Sequence, residues 1–364
     1  MPAGHGTHRR RGGSPWVLIA LAAIASTAVG LGSIAWMHRA GSEGVGAPTV
    51  TALAPSDSLD PSPSPRAREG AAHENVEEEP KGAIVIQGTG DVNIDPSYVP
   101  TFVSHGWDYA WSGLDGSFRR DDLTVINLEC AVSDRGAAVE KEFNFRGDPA
   151  ALGSMRRAGV EVANLGNNHA YDFGPAALLD TVRNVRRARI APVGAGATQD
   201  DALDPARFEL DGWKVAVLGF DQVVDPYPDA IATASKPGTA AGHDTQLMLR
   251  AIRSAARRSD IVVVTIHWGV ELDTEPRPEQ VVLGHRFVDA GADIVFGHHS
   301  HRLQPLDLYR GKPIFWSLGN FVWPDFSVAG SATGVGRVAI RPNGALRARL
   351  LPATIEATGH PVLR

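Results

Sequence analysis

The chain has 364 residues, 43% of them hydrophobic and 21% charged, with a formal net charge of −6. That composition is ordinary for a globular protein, leaves room for one large domain or two average ones, and excludes a global basic face for nucleic acid. The single cysteine, Cys130, excludes an intrachain disulfide and leaves the compartment open.

Residues 1–15 form a basic segment with Arg9, Arg10 and Arg11, expected in the cytoplasm. Residues 16–38 follow, with no charged side chain from Trp16 to Met37. That run of about 22 residues is close to the ~20 that cross a bilayer as a helix. Trp16 and Trp36 sit at its ends, where indoles favour the interface, and the arginines place everything after it outside the cell. A cleaved signal peptide is the rival reading. Its apolar region is usually shorter, and Trp36-Met37-His38-Arg39 is a poor cleavage site. The expectation is a single-pass cell-membrane anchor with an extracytoplasmic domain. Residues 39–81, rich in Pro, Ser, Ala and Glu, cannot bury a core and read as a disordered linker.

The folded domain is expected over 82–364. Strands are predicted at 83–87, 124–128, 160–165, 190–193, 214–219, 261–267, 293–296 and 313–317. Helices are predicted at 149–158, 175–187, 244–257 and 278–290. Pro175 suits a first helical turn and Asp244 an N-cap. Asp211-Gly212 and Asn343-Gly344 mark hairpins, the second joining 335–341 to 346–351. Alternating strands and helices with hairpins predict an α/β domain with mixed sheets.

Chemistry-bearing residues cluster just past the predicted strand ends: Asp91, Glu129, Asn167-Asn168-His169, His267, and the string Gly297-His298-His299-Ser300-His301. In open α/β sheets ligands bind at the carboxyl ends of the strands. Carboxylate, amide oxygen and imidazole together form a donor set for two divalent ions. Each residue also has a plainer reading. Asp91 and Asn167-Asn168 suit turns, Glu129 suits a solvated strand end, and His267 suits a satisfied core histidine. Their recurrence at equivalent positions favours one shared site. Arg146 reads either as an anion clamp or as half of a surface salt bridge. Cys130 reads as a small core residue. Gly88-Thr89-Gly90 lacks the third glycine of a dinucleotide fingerprint. No Gly-x-Ser-x-Gly elbow marks a serine hydrolase.

The motifs Gly90-Asp91, Asn127-Leu128-Glu129, Gly166-Asn167-Asn168-His169 with Asp172 and Gly174, His267-Trp268-Gly269 with Glu271, Gly297-His298-His299-Ser300-His301 and Ser317-Leu318-Gly319-Asn320-Phe321 come in one order. In that order they resemble the bacterial capsule-synthesis CapA family (PgsA-type proteins of poly-γ-glutamate biosynthesis) from about Ile84 to Val322. That family looks like a branch of the calcineurin-like metallophosphatases. The resemblance implies a four-layer α/β/β/α sandwich with two divalent ions (Mn, Fe or Zn). It implies Asp91, Glu129, Asn168, His267, His299 and His301 as ligands, with His298 able to replace His299. It implies His169 as the proton donor to a leaving group, with Asp172 orienting it. Glu271 and Asn320, with Arg146, are expected to bind substrate. Asn93 departs from the pattern, standing where the phosphatases carry a metal-binding histidine. Glu129 also departs from it, replacing their bridging aspartate.

Three functions follow from the resemblance. The first is an anchored protein of poly-γ-glutamate or capsule assembly that partners an anionic envelope polymer and its synthase. The second is a metal-dependent phosphoesterase acting on envelope phosphoesters. The third is a noncatalytic polyanion-binding scaffold with a degenerate metal site.

Overall fold

A computed structural model describes residues 80–223 and 227–364. The expected basic segment, anchor and linker, up to residue 79, lie outside the described residues. No helix among the described residues is long and apolar enough to cross a membrane.

Two mixed sheets form the domain. The first has eight strands. Across it run His360–Leu363, Leu346–Ala357, Ala332–Ile340, Ile84–Val92, Leu123–Leu128, Val162–Asn164 and Ala191–Val193, and Asn320–Val322 pairs with the end of Ile84–Val92. The second has six: Leu306–Tyr309, Lys312–Phe315, Ile294–His298, Ile261–His267, Trp213–Asp221 and Ala206–Leu210. Both hairpins form where the turn residues predict them. Ile84–Val92, Leu123–Leu128, Val162–Asn164 and Ala191–Val193 of the first sheet run parallel, as do Trp213–Asp221, Ile261–His267, Ile294–His298 and Lys312–Phe315 of the second, which brings their carboxyl ends to one edge.

Three apolar layers hold these elements together. Ile84, Ile86, Val125 and Val162 of the first sheet meet Val215, Val217, Val263, Ile294 and Phe296 of the second. Beyond the first sheet, Leu178, Val182 and Val185 of the Gly174–Arg187 helix join Ile126, Leu128 and Leu165. Beyond the second, Met248, Leu249 and Ile252 of Thr245–Ala256 and Phe287 of Pro278–Ala290 cover Val262, Val264 and Ile266. The layers thus run helix, sheet, sheet, helix. Each fully buried Val, Ile, Leu or Phe contributes ~1.5–3 kcal/mol, so this packing dominates stability. Asp244 caps its helix, accepting from Leu247 N at 2.9 Å. The predicted helix at 149–158 divides into a 3-10 turn, Pro149–Ala151, and an α-helix, Leu152–Ala158.

One strand differs from expectation in a way that builds the site. The glycines at 88 and 90 suggest a turn, yet the Ile84–Val92 strand runs through both. They are there for close approach rather than for bending. A Cβ on Gly88 would meet the Phe296 ring at 2.6 Å, and one on Gly90 would meet the Gly319 carbonyl oxygen at 2.0 Å. The register shifts between Gly88 and Asp91, a bulge that re-aims the strand end. Asp91 then pairs with Asn127 on one side and Asn320 on the other. Asp91 therefore lies in the next-to-last position of its strand rather than beyond it; His298 likewise ends its strand, and His267 ends the strand predicted at 261–267.

Candidate metal centre

The two rows of strand ends converge in a buried polar cluster. His267 ends its strand in register with His298. Its Nε2 lies 3.4 Å from Glu129 Oε1, 3.0 Å from Asn168 Oδ1 and 3.1 Å from His299 Nδ1. On the other side, His301 Nδ1 lies 3.2 Å from Asp91 Oδ2, and its Nε2 lies 3.8 Å from Glu129 Oε1. Ligand atoms of Glu129, His299 and His301, and those of Asp91, Glu129 and His267, fall within 4.8 Å of one another in each group. Glu129 belongs to both groups and stands between them.

Glu129 is fully buried, and neither carboxylate oxygen has a hydrogen-bond partner. A carboxylate in that position needs a counter-charge. Burial, then the neighbouring Asp91, push its pKa well above the usual range. Burial also disfavours ionisation of Asp91, but contacts with His301, His298 and Asn127 reverse that and hold it low. Burial keeps His267 far below the ordinary histidine range, and puts His299 at about 3 and His298 at about 4. These imidazoles are neutral at pH 7, the form that binds metals. His301 is raised despite burial, because Asp91 accepts its hydrogen bond and adds charge. Two carboxylates, Asp91 and the orphaned Glu129, with the neutral imidazoles of His267 and His299 and the His301 ring beside Asp91, fit divalent cations.

The choice between the adjacent histidines is visible in geometry. His299 joins Glu129 and His301, whereas His298 turns behind Asp91. Its Nε2 meets the Thr265 hydroxyl at 2.9 Å, and its Nδ1 is 3.7 Å from Asp91 Oδ1. His299 and His301 hold φ of +88° and +51°. Such left-handed backbone costs ~1–3 kcal/mol at a non-glycine residue and concentrates at functional sites.

His169 stands beside the cluster, with Nε2 4.0 Å from Glu129 Oε1 and Nδ1 2.8 Å from Asp172 Oδ2. Phe145 packs on its ring at 4.3 Å. Burial lowers its pKa, Asp172 opposes that, and Lys141 adds to it. Asn167 fixes this turn. It donates to Leu128 O at 2.9 Å and accepts from His169 N at 3.1 Å.

Asn320 and Glu271 are at the site. Asn320 Oδ1 lies 2.8 Å from His301 Nδ1, and its amide donates to Gly330 O. Exposed Glu271 lines the opening with His169. Arg146 is not brought to the centre. Its guanidinium donates to the carbonyls of Ser133, Arg135 and Gly136 and stacks on Phe173 at 3.6 Å. With its donors spent on that loop, it braces the loop and clamps no anion. Asn93, at the departure from the phosphatase pattern, has its Oδ1 occupied by Asp95 N at 2.9 Å, and its buried Nδ2 has no partner.

Two contributors have no role in the sequence reading, Lys141 and Asn127, the latter named only as part of the Asn127-Leu128-Glu129 motif. Lys141 has a side chain only 7% exposed, 2.6 Å from Asp172 Oδ1 and 2.7 Å from Asn168 O. It comes from an irregular loop with no pattern around it. Asn127 donates to Asp91 Oδ1 at 2.9 Å, sits 3.1 Å from His267 Nδ1, and accepts from Asn164 and Asn167. Its signal was available, as a polar residue beside Glu129 at the end of an apolar run.

Residues 85–325, about two thirds of the chain, match the family described as "Bacterial capsule synthesis protein PGA_cap". The chain belongs to this family. It is 32% identical over 267 residues to the "Capsule biosynthesis protein CapA" of Bacillus anthracis, covering 71% of this chain and 64% of that protein. It is 32% identical over 261 residues to the "PGA biosynthesis protein CapA" of Bacillus subtilis strain 168, covering 71% and 68%. The chain thus spans about two thirds of the length of these relatives. Among solved structures, the Haemophilus influenzae NAD nucleotidase covers 75% of this chain and 56% of its own, at 13% identity and a TM-score of 0.45. That likeness is too slight to assign an activity. The match to the PGA_cap family covers every cluster residue named above.

Proposed function

We propose that the chain is a membrane-tethered, extracytoplasmic hydrolase of the metallophosphatase type, working on an anionic component of capsule or poly-γ-glutamate assembly. The names of the relatives support the setting, and the apolar run at 16–38 supports the tether. One observation carries the chemistry: the buried, unpartnered Glu129 carboxylate shared by two groups of ligand atoms, one with His299 and His301 and the other with Asp91 and His267.

In this reading Asp91, Glu129 and His301 would hold one ion, and Glu129, Asn168, His267 and His299 would hold a second. Divalent ions there supply Lewis acidity, polarising a phosphoryl or acyl oxygen and making water more acidic. The remaining roles belong to the protein. Asn127 and Asn320 orient His267 or Asp91 on one side and His301 on the other, as outer-shell partners do. Asp172 binds His169 Nδ1 and leaves Nε2 facing the centre, where it can give a proton to a leaving oxygen or nitrogen. Lys141 offsets the Asp172 charge. By lowering the His169 pKa it makes the protonated ring a stronger donor, though a scarcer one at neutral pH.

Asn93 favours a second reading. With its oxygen spent on Asp95 N, the Asp91 side lacks one ligand, which suits a noncatalytic scaffold that binds polyanions through fewer ions. The test is turnover of bis(p-nitrophenyl) phosphate by the manganese-loaded protein. Hydrolysis that disappears on chelation supports the hydrolase. Metal-dependent polymer binding without turnover of any ester supports the scaffold.

A further inference from the structure

Aromatic rings form a continuous wall beside the centre. Phe145 lies on His169, Tyr98 is 4.5 Å from Phe145 and 5.4 Å from Trp323, and Trp323 packs on His301 at 4.7 Å. Phe143 continues the wall outward from Phe145 at 6.4 Å, and Phe326 continues it from Tyr98 at 6.0 Å. Phe145 and Trp323 are buried and Tyr98 is half-buried, whereas Phe143 and Phe326 are 54% and 75% exposed. Among the described residues eight large hydrophobic side chains are exposed, and four of them, Phe143, Val270, Leu272 and Phe326, line the two cavities that open on His169. Exposed apolar side chains are unremarkable when scattered, but gathered at the mouth of a site they mark a ligand surface.

The cavity within this wall has a volume of about 200 Å³. That is below the ~300–1,000 Å³ of pockets for drug-sized ligands, and leaves room for one ring rather than a long chain. Its aromatic faces meet at interplanar angles of 42°, 78° and 84°, so an inserted ring finds both faces and edges, the arrangements aromatic pairs prefer. A rigid ring also loses little conformational entropy on entering. Asn320, Ser327, Arg302 and Glu271 at its margin offer hydrogen bonds to ring substituents.

We propose that this slot binds an aromatic ring carried by the substrate a few bonds from the anion, so that the substrate class is an organic phosphate, or a similar anionic ester, bearing an aryl or heteroaryl group. The placement of the anion rests on the metal-centred reading above. The placement of the ring rests on the wall.

The experiment uses the full chain loaded with manganese and three non-hydrolysable probes: methylphosphonate, phenylphosphonate and octylphosphonate, measured by calorimetry. Phenylphosphonate binds at least ~10-fold tighter than methylphosphonate, since ring burial and aromatic contact together exceed ~1.4 kcal/mol. In Phe326→Ala and in Tyr98→Leu that ratio falls to within about 2-fold. Equal affinities in the wild type, a ratio that survives both substitutions, or octylphosphonate binding tighter than phenylphosphonate each overturn the ring slot. Failure of the metal reading looks different: no manganese is retained and methylphosphonate does not bind. The slot is then read without an anion, by 19F line broadening of 4-fluorophenol. Broadening that is lost in Phe326→Ala supports the slot, and equal broadening in both proteins overturns it.

Discussion

Replacing Glu129 with glutamine should have opposite effects with and without metal. In metal-free protein the Glu129 carboxyl is buried, without a partner, and pushed well above the carboxylate range by burial and then by Asp91. Its folded pKa thus exceeds the unfolded value of about 4.3. The folded state holds a proton that the unfolded state releases, so stability falls as pH rises from about 4 toward the folded value. A buried carboxylate costs several kcal/mol. The glutamine amide leaves unpaired polar atoms costing ~1–3 kcal/mol. The net gain of Glu129→Gln at pH 8 in chelator is therefore about 1–3 kcal/mol, or roughly 2–6 °C in Tm for a domain of this size. With manganese at 100 times its Kd the wild type gains ~2.7 kcal/mol, and the variant loses most of that because Glu129 serves both ligand groups. Differential scanning calorimetry of both proteins in chelator and in manganese checks the crossing. A variant that melts below the wild type in chelator, yet gains as much from manganese, would show Glu129 to be a structural prop.

Binding and chemistry separate at the histidines. His169→Ala keeps most of its metal by elemental analysis and loses ~10²–10⁴-fold in turnover, whereas His301→Ala loses metal, and equal metal loss in both would make His169 a ligand. Asp121 tests electrostatics away from the centre. Burial pushes its pKa to about 7, above the unfolded ~3.9, although Gln87 and Thr124 donate to it. The folded state therefore binds the extra proton and loses stability between about pH 4 and 7. Asp121→Asn should remove that slope, gaining on the order of 2 kcal/mol at pH 8 and little at pH 4 once partial solvation is allowed for, and equal gains at both pH values would contradict it. Topology is tested by protease added to cells stripped of any outer barrier. Cleavage within 40–81 should release the domain, and protection until lysis would reverse the orientation.

The strands and the edge that carries the centre were legible because apolar runs end in polar residues at matching positions. His299 and His301 stood out because clustered imidazoles have few plain explanations. The Ile84–Val92 strand was cut short because glycine reads as a turn, and only the facing Phe296 ring and Gly319 carbonyl show why it is there. Arg146 misled because a guanidinium suits an anion as well as it suits a row of loop carbonyls, and sequence does not say which is nearer. Lys141 and the wall of Tyr98, Phe143, Phe145, Trp323 and Phe326 come from separated loops. No periodicity links them, and only the fold brings them together.

Crystals of manganese-loaded protein, measured at a wavelength where manganese scatters anomalously, address the centre itself. Two anomalous peaks are predicted ~3.5–4 Å apart with the Glu129 carboxylate between them. One should lie within bonding reach of Asp91 and His301, and the other within reach of Asn168, His267 and His299. A map with no peak within bonding reach of Glu129 would contradict the metal centre.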